Sequence, residues 1–260
     1  MKKDEQKIIP EDNPHAPLYL EGAADKGIVV FIHGFMGSPR HFDKLAAAAH
    51  NQGLTVVALL LPAHGGTAKE FGSGSHELWQ NYIDSEVERF AREYTNIWLV
   101  GHSMGCLLAI NAAVKHSNKI CGLFLIALPL KIGLFSATAI KIRLKQVFSR
   151  ERKQIKATYS SVCSVKSSPG MIVYMIKQVF ELIKLKKAAT ANLHNLRAPV
   201  VAVLSENDEL TSIKSKKILK SGLTGAPLEN LLLTDSLHSY YQEKEWEKIE
   251  KLFLKFITAK

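Results

Sequence analysis

Ser103 has surroundings that could make a hydroxyl reactive. It occupies the centre of Gly101-His102-Ser103-Met104-Gly105, after an apolar run at 97–100 and ahead of Met104, Leu107, Leu108 and Asn111, which recur at helical spacing. A G-x-S-x-G that joins a strand to a helix is a nucleophile elbow, a turn so tight that the serine backbone is strained and its neighbours have no room for a Cβ. Held there, the hydroxyl stands at the carboxyl end of a strand, above a helix N-terminus that favours developing negative charge. Such a hydroxyl can attack a carbonyl carbon. The competing reading is a plain strand-to-helix turn, and the flanking strand and helix weigh against it.

A serine hydroxyl is a poor nucleophile until a base removes its proton, and that base needs an acceptor on its far nitrogen. The chain order expected around an elbow is Ser, then acid, then His. Asp208 lies in SENDEL just after an apolar strand at 200–204, and His238 lies in TDSLHSY just after the last apolar strand. Glu206, Glu209 and Asp235 compete for the acid role. Asp208 is preferred because it precedes the apolar Leu210 as the usual turn requires, although an Asp there could simply cap a helix beginning at 211. His15, His41, His50, His76, His116 and His194 fall in predicted helices, tails or an insertion, which leaves His238 best placed, against the alternative of a surface loop histidine.

Acyl transfer also needs two donors for the oxyanion, worth roughly 3 to 4 kcal/mol each. The backbone N–H groups of Met104 and of Phe35, in His33-Gly34-Phe35-Met36-Gly37, are the candidates. His33, and His64 in LPAHGG, read as loop braces rather than as catalysts or metal ligands.

The elements that must position these residues alternate. Apolar strands are predicted at 18–22, 27–32, 54–61, 97–100, 120–128, 200–204 and 228–233. Helices are predicted from Ser38-Pro39 to His50 with Gly53 as the stop, then over 75–94, 104–115, 212–219 and 240–257. Alternation of this kind predicts an α/β fold, a mostly parallel doubly wound sheet with ligands at the carboxyl ends of the strands. The rhythm breaks from 129 to 195, where two amphipathic helices are expected. One carries Ile140, Leu144, Val147 and Phe148; the other opens at Ser168-Pro169 and carries Ile172, Met175, Ile176, Val179 and Ile183. The expected organisation is a core of 1–128 and 196–260 with a helical cap, or lid, inserted at 129–195.

The net charge of +10 is concentrated in that insertion, which holds 13 Lys or Arg against 2 Glu, so the rest of the chain is close to neutral. A solvated helix face, an anionic membrane surface and an anionic substrate compete to explain it. Nucleic-acid binding is the poorest fit, because no recognition motif accompanies the charge. The charged, proline-broken start of the chain lacks the apolar core of a signal peptide, and no stretch is apolar for the length of a membrane span, so a cytoplasmic protein is expected. Cys106, Cys121 and Cys163 are an odd number without metal spacing, which suits reduced thiols, with Cys106 and Cys121 in the core.

HGFMGSPRHFDKLA, LPAHGG, SHELWQNYIDSEVE, GHSMG, SENDEL and SLHS, in that order, resemble the α/β-hydrolase fold, and within it the bacterial monoacylglycerol lipases and small carboxylesterases. The resemblance covers about 27–128 and 199–257. It implies a serine hydrolase of carboxylic esters with short or medium acyl chains, monoacylglycerols among them, working through an acyl-enzyme without metal or cofactor. It implies Ser103, Asp208 and His238 as triad and Phe35 and Met104 as oxyanion donors. The chain departs from the pattern at Ala63-His64-Gly65, where the family often has Gly-His-Gly, and at Cys106, where it usually has glycine. A thioesterase, a carbon–carbon bond hydrolase, or a ligand-binding module that has lost turnover would use the same scaffold.

Overall fold

The β-branched run at 28–32 has no polar residue because both of its faces are covered. In the computed structural model, which describes residues 13–133, 136–168 and 170–259, every residue of β2 (Ile28–Ile32) is buried. Alternate side chains serve two cores: Ile28, Val30 and Ile32 join one cluster, Val29 and Phe31 the other. Fully burying a side chain of this size contributes about 1.5–3 kcal/mol. Residues 1–12, Leu134, Phe135, Pro169 and Lys260 lie outside the described residues. With them lie the reading of the N-terminus as lacking an apolar leader and that of Pro169 as a helix opener.

The chain begins with β1 (Leu18–Leu20), β2, α1 (Asp43–Asn51), β3 (Thr55–Leu59), α2 (Ala68–Gly72) and α3 (His76–Phe90). It continues through β4 (Ile97–His102), α4 (Met104–Lys115), β5 (Ile120–Ile126), α5 (Ala137–Val147), α6 (Arg152–Val162) and α7 (Met171–Asn192). It closes with β6 (Val200–Ser205), α8 (Ser215–Gly222), β7 (Leu228–Leu233) and α9 (Glu243–Thr258). Among the described residues the sheet has seven strands in the order β1-β3-β2-β4-β5-β6-β7, with β1 antiparallel to β3 and the other pairings parallel. This is the mostly parallel, doubly wound α/β sheet expected from the alternation.

Local details follow the residue chemistry. Ser38 makes no capping hydrogen bond, and Pro39 opens a short 3-10 turn, Pro39–Phe42, so α1 starts only at Asp43. Gly53 follows α1 at φ 84, the left-handed position a helix stop favours. In the loop after β3, Thr67 and Glu70 form a reciprocal capping box that winds α2, a helix the sequence pattern did not mark.

Among the described residues three α-helices, not two, lie between β5 and β6. The unexpected one, α6, buries none of its residues fully; its short stripe of Ile155, Tyr159 and Val162 is half-buried, with Ile155 and Tyr159 against Ile142, Leu237 and Tyr240. Much of the two expected apolar stripes is exposed, although Met175 and Ile183 are half-buried and Met175 packs against the core. Phe148 is 85% exposed and Ile172 76%, with Ile140, Leu144, Val147, Ile176 and Val179 also exposed. α7 docks through another face, with Gln178, Glu181, Leu185 and Ala189 buried. Gln178 donates to the Gly74 carbonyl at 3.0 Å, and Asn192 donates to Asn111 of α4 at 2.9 Å. Among the described residues no helix is long and apolar enough to cross a membrane.

Close approach, rather than turn conformation, fixes the glycine after the elbow: a Cβ on Gly105 would stand 1.9 Å from the Ile32 carbonyl oxygen, a backbone atom that cannot swing aside. Gly53 has only the flexible Lys26 side chain nearby, at 3.6 Å. Denaturant titration should therefore separate the two. Gly53→Ala should cost about 1 kcal/mol from backbone strain, whereas Gly105→Ala should cost more than about 4 kcal/mol or yield no soluble protein.

Candidate active site

Strand order brings the site together. The chain runs from β2 outward to β3, then returns to the other side of β2 to lay down β4. The direction of winding therefore reverses between β2 and β4, and at such a point the loops leaving the two strands diverge and open a crevice. Ile32 pairs with Gly101, so the loop 33–37 and the 102–105 turn leave the sheet side by side. Ser103 lies between them with φ 52 and ψ −120, a left-handed conformation that is costly for any residue but glycine. Its N–H is held by the Ile126 carbonyl at 2.9 Å. A Cβ on Gly34 would stand 2.9 Å from Ser103 Cβ and 3.0 Å from the His102 carbonyl, so this glycine is what lets the two loops touch.

The two N–H groups expected to face an oxyanion are in keeping with that role. Met104 is the first residue of α4, where a helix has no acceptor for its N–H. Phe35 lies inside the turn closed by Gly37 N–H to the Gly34 carbonyl at 2.9 Å, and among the described residues its own N–H has no main-chain acceptor. His33 braces this loop as expected. Its ring receives the Leu61 N–H at 3.0 Å and donates to the Gly34 carbonyl at 2.9 Å. Burial, and then the neighbouring His64, hold its pKa well below the ordinary value. His64 is likewise buried, bonded to the Pro62 carbonyl at 3.1 Å and lowered by burial to about 4.

His238 and Asp208 meet at the other side of the crevice. His238 Nδ1–H donates to Asp208 Oδ2 at 2.8 Å, with both side chains almost wholly buried. Asp208 is fixed from within its own turn, accepting from the N–H of Leu210 at 2.8 Å, the N–H of Thr211 at 2.7 Å and the Thr211 hydroxyl at 2.7 Å. The turn-capping use of this residue and its hold on the histidine therefore coexist. Of the rival acids, Glu206 and Asp235 are exposed while Glu209 is buried. Burial would raise the Asp208 pKa, but His238 and the Thr211 donors outweigh it and bring it down. Burial would lower His238; the charge and hydrogen bond of Asp208, with the charge of Glu209 behind them, raise it instead. The imidazole is thus prepared to carry a positive charge.

Ser103, His238, Phe35 and Met36 line one cavity of about 350 Å³, together with apolar side chains such as Met175, Val179 and Leu182 of α7. No hydrogen bond joins Ser103 Oγ to His238 among the described residues; the pair shares the cavity wall, and catalytic contacts of this kind commonly tighten only around substrate. The loop carrying His238 is anchored by the buried Glu245 of α9, which accepts from the N–H of Ser236 at 2.8 Å, its hydroxyl at 2.6 Å and the N–H of Thr234 at 2.6 Å.

Sequence reasoning passed over several groups around this site. His102 Nε2–H donates to the His238 carbonyl at 2.9 Å, and its ring stacks on His41 at 4.1 Å. Burial and the neighbouring His238 lower His102 to about 3, and burial with His102 beside it lowers His41 well below the usual value. Ser164, just after α6, donates through its hydroxyl to the Gly37 carbonyl at 2.6 Å and through its N–H to the Met36 carbonyl at 2.9 Å. His102 lies within GHSMG and His41 within HGFMGSPRHFDKLA, but Ser164 belongs to no motif. Away from the crevice, His76, Glu77 and Glu181 are close enough to share an ion. Glu181 is already engaged by Lys184 at 2.8 Å and His76 at 2.6 Å, which outweigh burial and bring its pKa down to about 2.

Cys106 fills the place behind the elbow. Its thiol is fully buried and donates to the Gly101 and Ile126 carbonyls, each at 3.2 Å. Burial pushes its pKa far up, so the reactive thiolate does not form. Iodoacetamide at mildly alkaline pH should leave Cys106 unmodified in the folded protein and alkylate it in denaturant, as read by peptide mass spectrometry. Labelling in the folded state would contradict the packing described.

A family model described as Alpha/beta hydrolase family matches residues 29–214. The thermostable monoacylglycerol lipase of Bacillus sp. (strain H-257) is 22% identical over 211 residues, covering 81% of this chain and 82% of that protein. The probable lysophospholipase BODYGUARD 4 of Arabidopsis thaliana is 34% identical over 105 residues, 39% of this chain, and the match spans only 24% of that relative. The crystal structure of the monoacylglycerol lipase of Paleococcus ferrophilus shares the fold, with a TM-score of 0.71 at 20% identity over 93% of this chain and 97% of the other. The chain belongs to the alpha/beta hydrolase family.

Proposed function

We propose that the protein is a serine hydrolase that cleaves carboxylic esters of single acyl chains, short or medium in length and with monoacylglycerols among them, through an acyl-enzyme. The reading is carried by one convergence: a serine strained to φ 52 and a histidine bonded at 2.8 Å to a buried aspartate line the same apolar cavity. In this reading His238 takes the proton as Ser103 Oγ attacks the carbonyl carbon. Asp208 keeps Nδ1 protonated and offsets the imidazolium charge, and the N–H groups of Phe35 and Met104 receive the oxyanion. His238 then gives the proton to the departing alcohol and repeats the cycle with water. The apolar walls suit an acyl chain.

Residues 129–195 act as a cap. α6 and α7 supply Tyr159, Val162, Met175, Val179 and Leu182 to the cavity wall, so the cap selects the acyl chain. Its exposed apolar side chains, Phe148 and Ile172 foremost, share the cap with exposed basic residues such as Lys141, Lys145, Lys153 and Lys156. That combination suits an anionic lipid surface that delivers single-chain esters.

A fluorophosphonate probe should label the protein, and Ser103→Ala should abolish labelling without lowering Tm. A folded wild-type protein that resists the probe would point instead to a ligand-binding module. Among nitrophenyl esters of graded length, monoacylglycerol and acyl-thioesters, the oxygen esters should turn over fastest, and Asp208→Asn should lower kcat by roughly 10⁴-fold; a preference for thioesters would favour the thioesterase reading. Co-sedimentation with anionic vesicles should exceed that with neutral ones and fall when Phe148 and Ile172 are replaced by Asp. Equal binding to both vesicles would remove the membrane role.

A further inference from the structure

Glu209 is 4% exposed, immediately follows Asp208, and has both carboxylate oxygens engaged. One accepts the main-chain N–H of His238 at 3.2 Å, and the other accepts the hydroxyl of Tyr159 from α6. The same hydroxyl receives the N–H of Ser239 at 3.3 Å. Two consecutive amides of the histidine loop are therefore held, one by Glu209 directly and one by the tyrosine that Glu209 anchors. Burial, and then the charge of Glu209, push the Tyr159 phenol far above its ordinary range, so it remains the donor. Arg143 of α5 donates to the Glu209 carbonyl at 3.0 Å, which fastens a second cap helix to the acid turn.

We propose that Glu209 is a positioning residue for His238: held by Tyr159 of α6, its carboxylate fixes the main chain of the base and sets a second negative charge beside Asp208. This rests on the triad reading above and adds to it a direct tie between the seating of α6 and the competence of the base. Burying a second carboxylate beside the first is costly unless its charge is used. Here the charge stabilises the imidazolium that forms when His238 takes the serine proton.

Other groups face His238 too. Asp208 bonds the ring, His102 bonds the main-chain carbonyl with His41 stacked behind it, and Tyr241 donates to that carbonyl at 3.1 Å. Tyr159 and Arg143 approach from the cap. The two histidines are held neutral by burial, and Tyr241 by burial with the nearby Asp208, so apart from the guanidinium of Arg143 on the Glu209 carbonyl the charges near the ring are the carboxylates of Asp208 and Glu209, and these raise its pKa.

Glu209→Gln keeps shape and an acceptor while removing the charge. Without that charge the imidazolium is less stable, the His238 pKa falls, and the acidic limb of kcat/KM, which requires neutral His238, should move down by roughly 0.5 to 1 pH unit. Tyr159→Phe should lower kcat by roughly 10-fold through a displaced base, with Tm close to that of the wild type. Asp235→Asn, at an exposed acid three residues from His238, should leave the limb in place. A limb unmoved in Glu209→Gln, or wild-type kcat in Tyr159→Phe, overturns the proposal. Fluorophosphonate labelling of Ser103 in the wild type tests the triad independently, so labelling without a pH shift rejects this inference alone.

Discussion

The backbone of the elbow lies against the backbone of β2 with room for no more than a hydrogen atom between Gly105 and the Ile32 carbonyl. That approach decides the remaining geometry. It holds α4 close under the sheet edge, forces Ser103 into a conformation that a relaxed serine avoids, and sets the 33–37 loop beside it. The cost of the strain is spread over a core in which β2 and β4 are buried on both faces. A shift at this contact would move the serine, and the Met104 N–H that travels with it, away from the Phe35 N–H proposed to face the same oxyanion.

Proton chemistry at the site is simplified by burial. His33, His41, His64 and His102 surround the crevice, and all four have their pKa lowered because water cannot reach them to solvate a charge. His238 alone among these neighbours is raised, because carboxylates face it. A proton entering the cluster therefore settles on the ring that borders Ser103 and the cavity. The four neutral rings serve as hydrogen-bonded or stacked packing, and His102 does so by gripping the main chain of the ring it leaves charged.

Much of this was legible in the sequence because the physics behind it is local. Apolar runs of strand length, the glycines at 101 and 105 and the breaks at Gly53 and Pro199 each report conditions met within a few residues, and the mostly parallel sheet follows from their alternation. Asp208 and His238 could be chosen because each directly follows a strand. What the sequence hid depends on distance. Glu209 was only a rival acid until Tyr159, fifty residues earlier, was seen to bond it, and Ser164 reaches a loop 127 residues away. α6 was missed because it is short and its three apolar positions, Ile155, Tyr159 and Val162, are spaced among basic and hydroxyl residues and only half-buried. The stripes on α5 and α7 had the right period, yet period alone does not say whether the apolar face meets protein or surroundings.

Tyr159 and Ser164 stand five residues apart and fasten to opposite walls of the crevice, the first to the histidine loop and the second to the 36–37 carbonyls. This short stretch works as a ruler: its length sets the width of the gap between the two walls. Insertions or deletions inside it would misalign both at once, whereas the exposed outer face of α7, with Ile172, Val173 and Ile176, carries neither anchor. Changes in cavity shape that keep this spacing are left to side-chain exchange at Val162, Met175, Val179 and Leu182, which line the wall without serving as anchors.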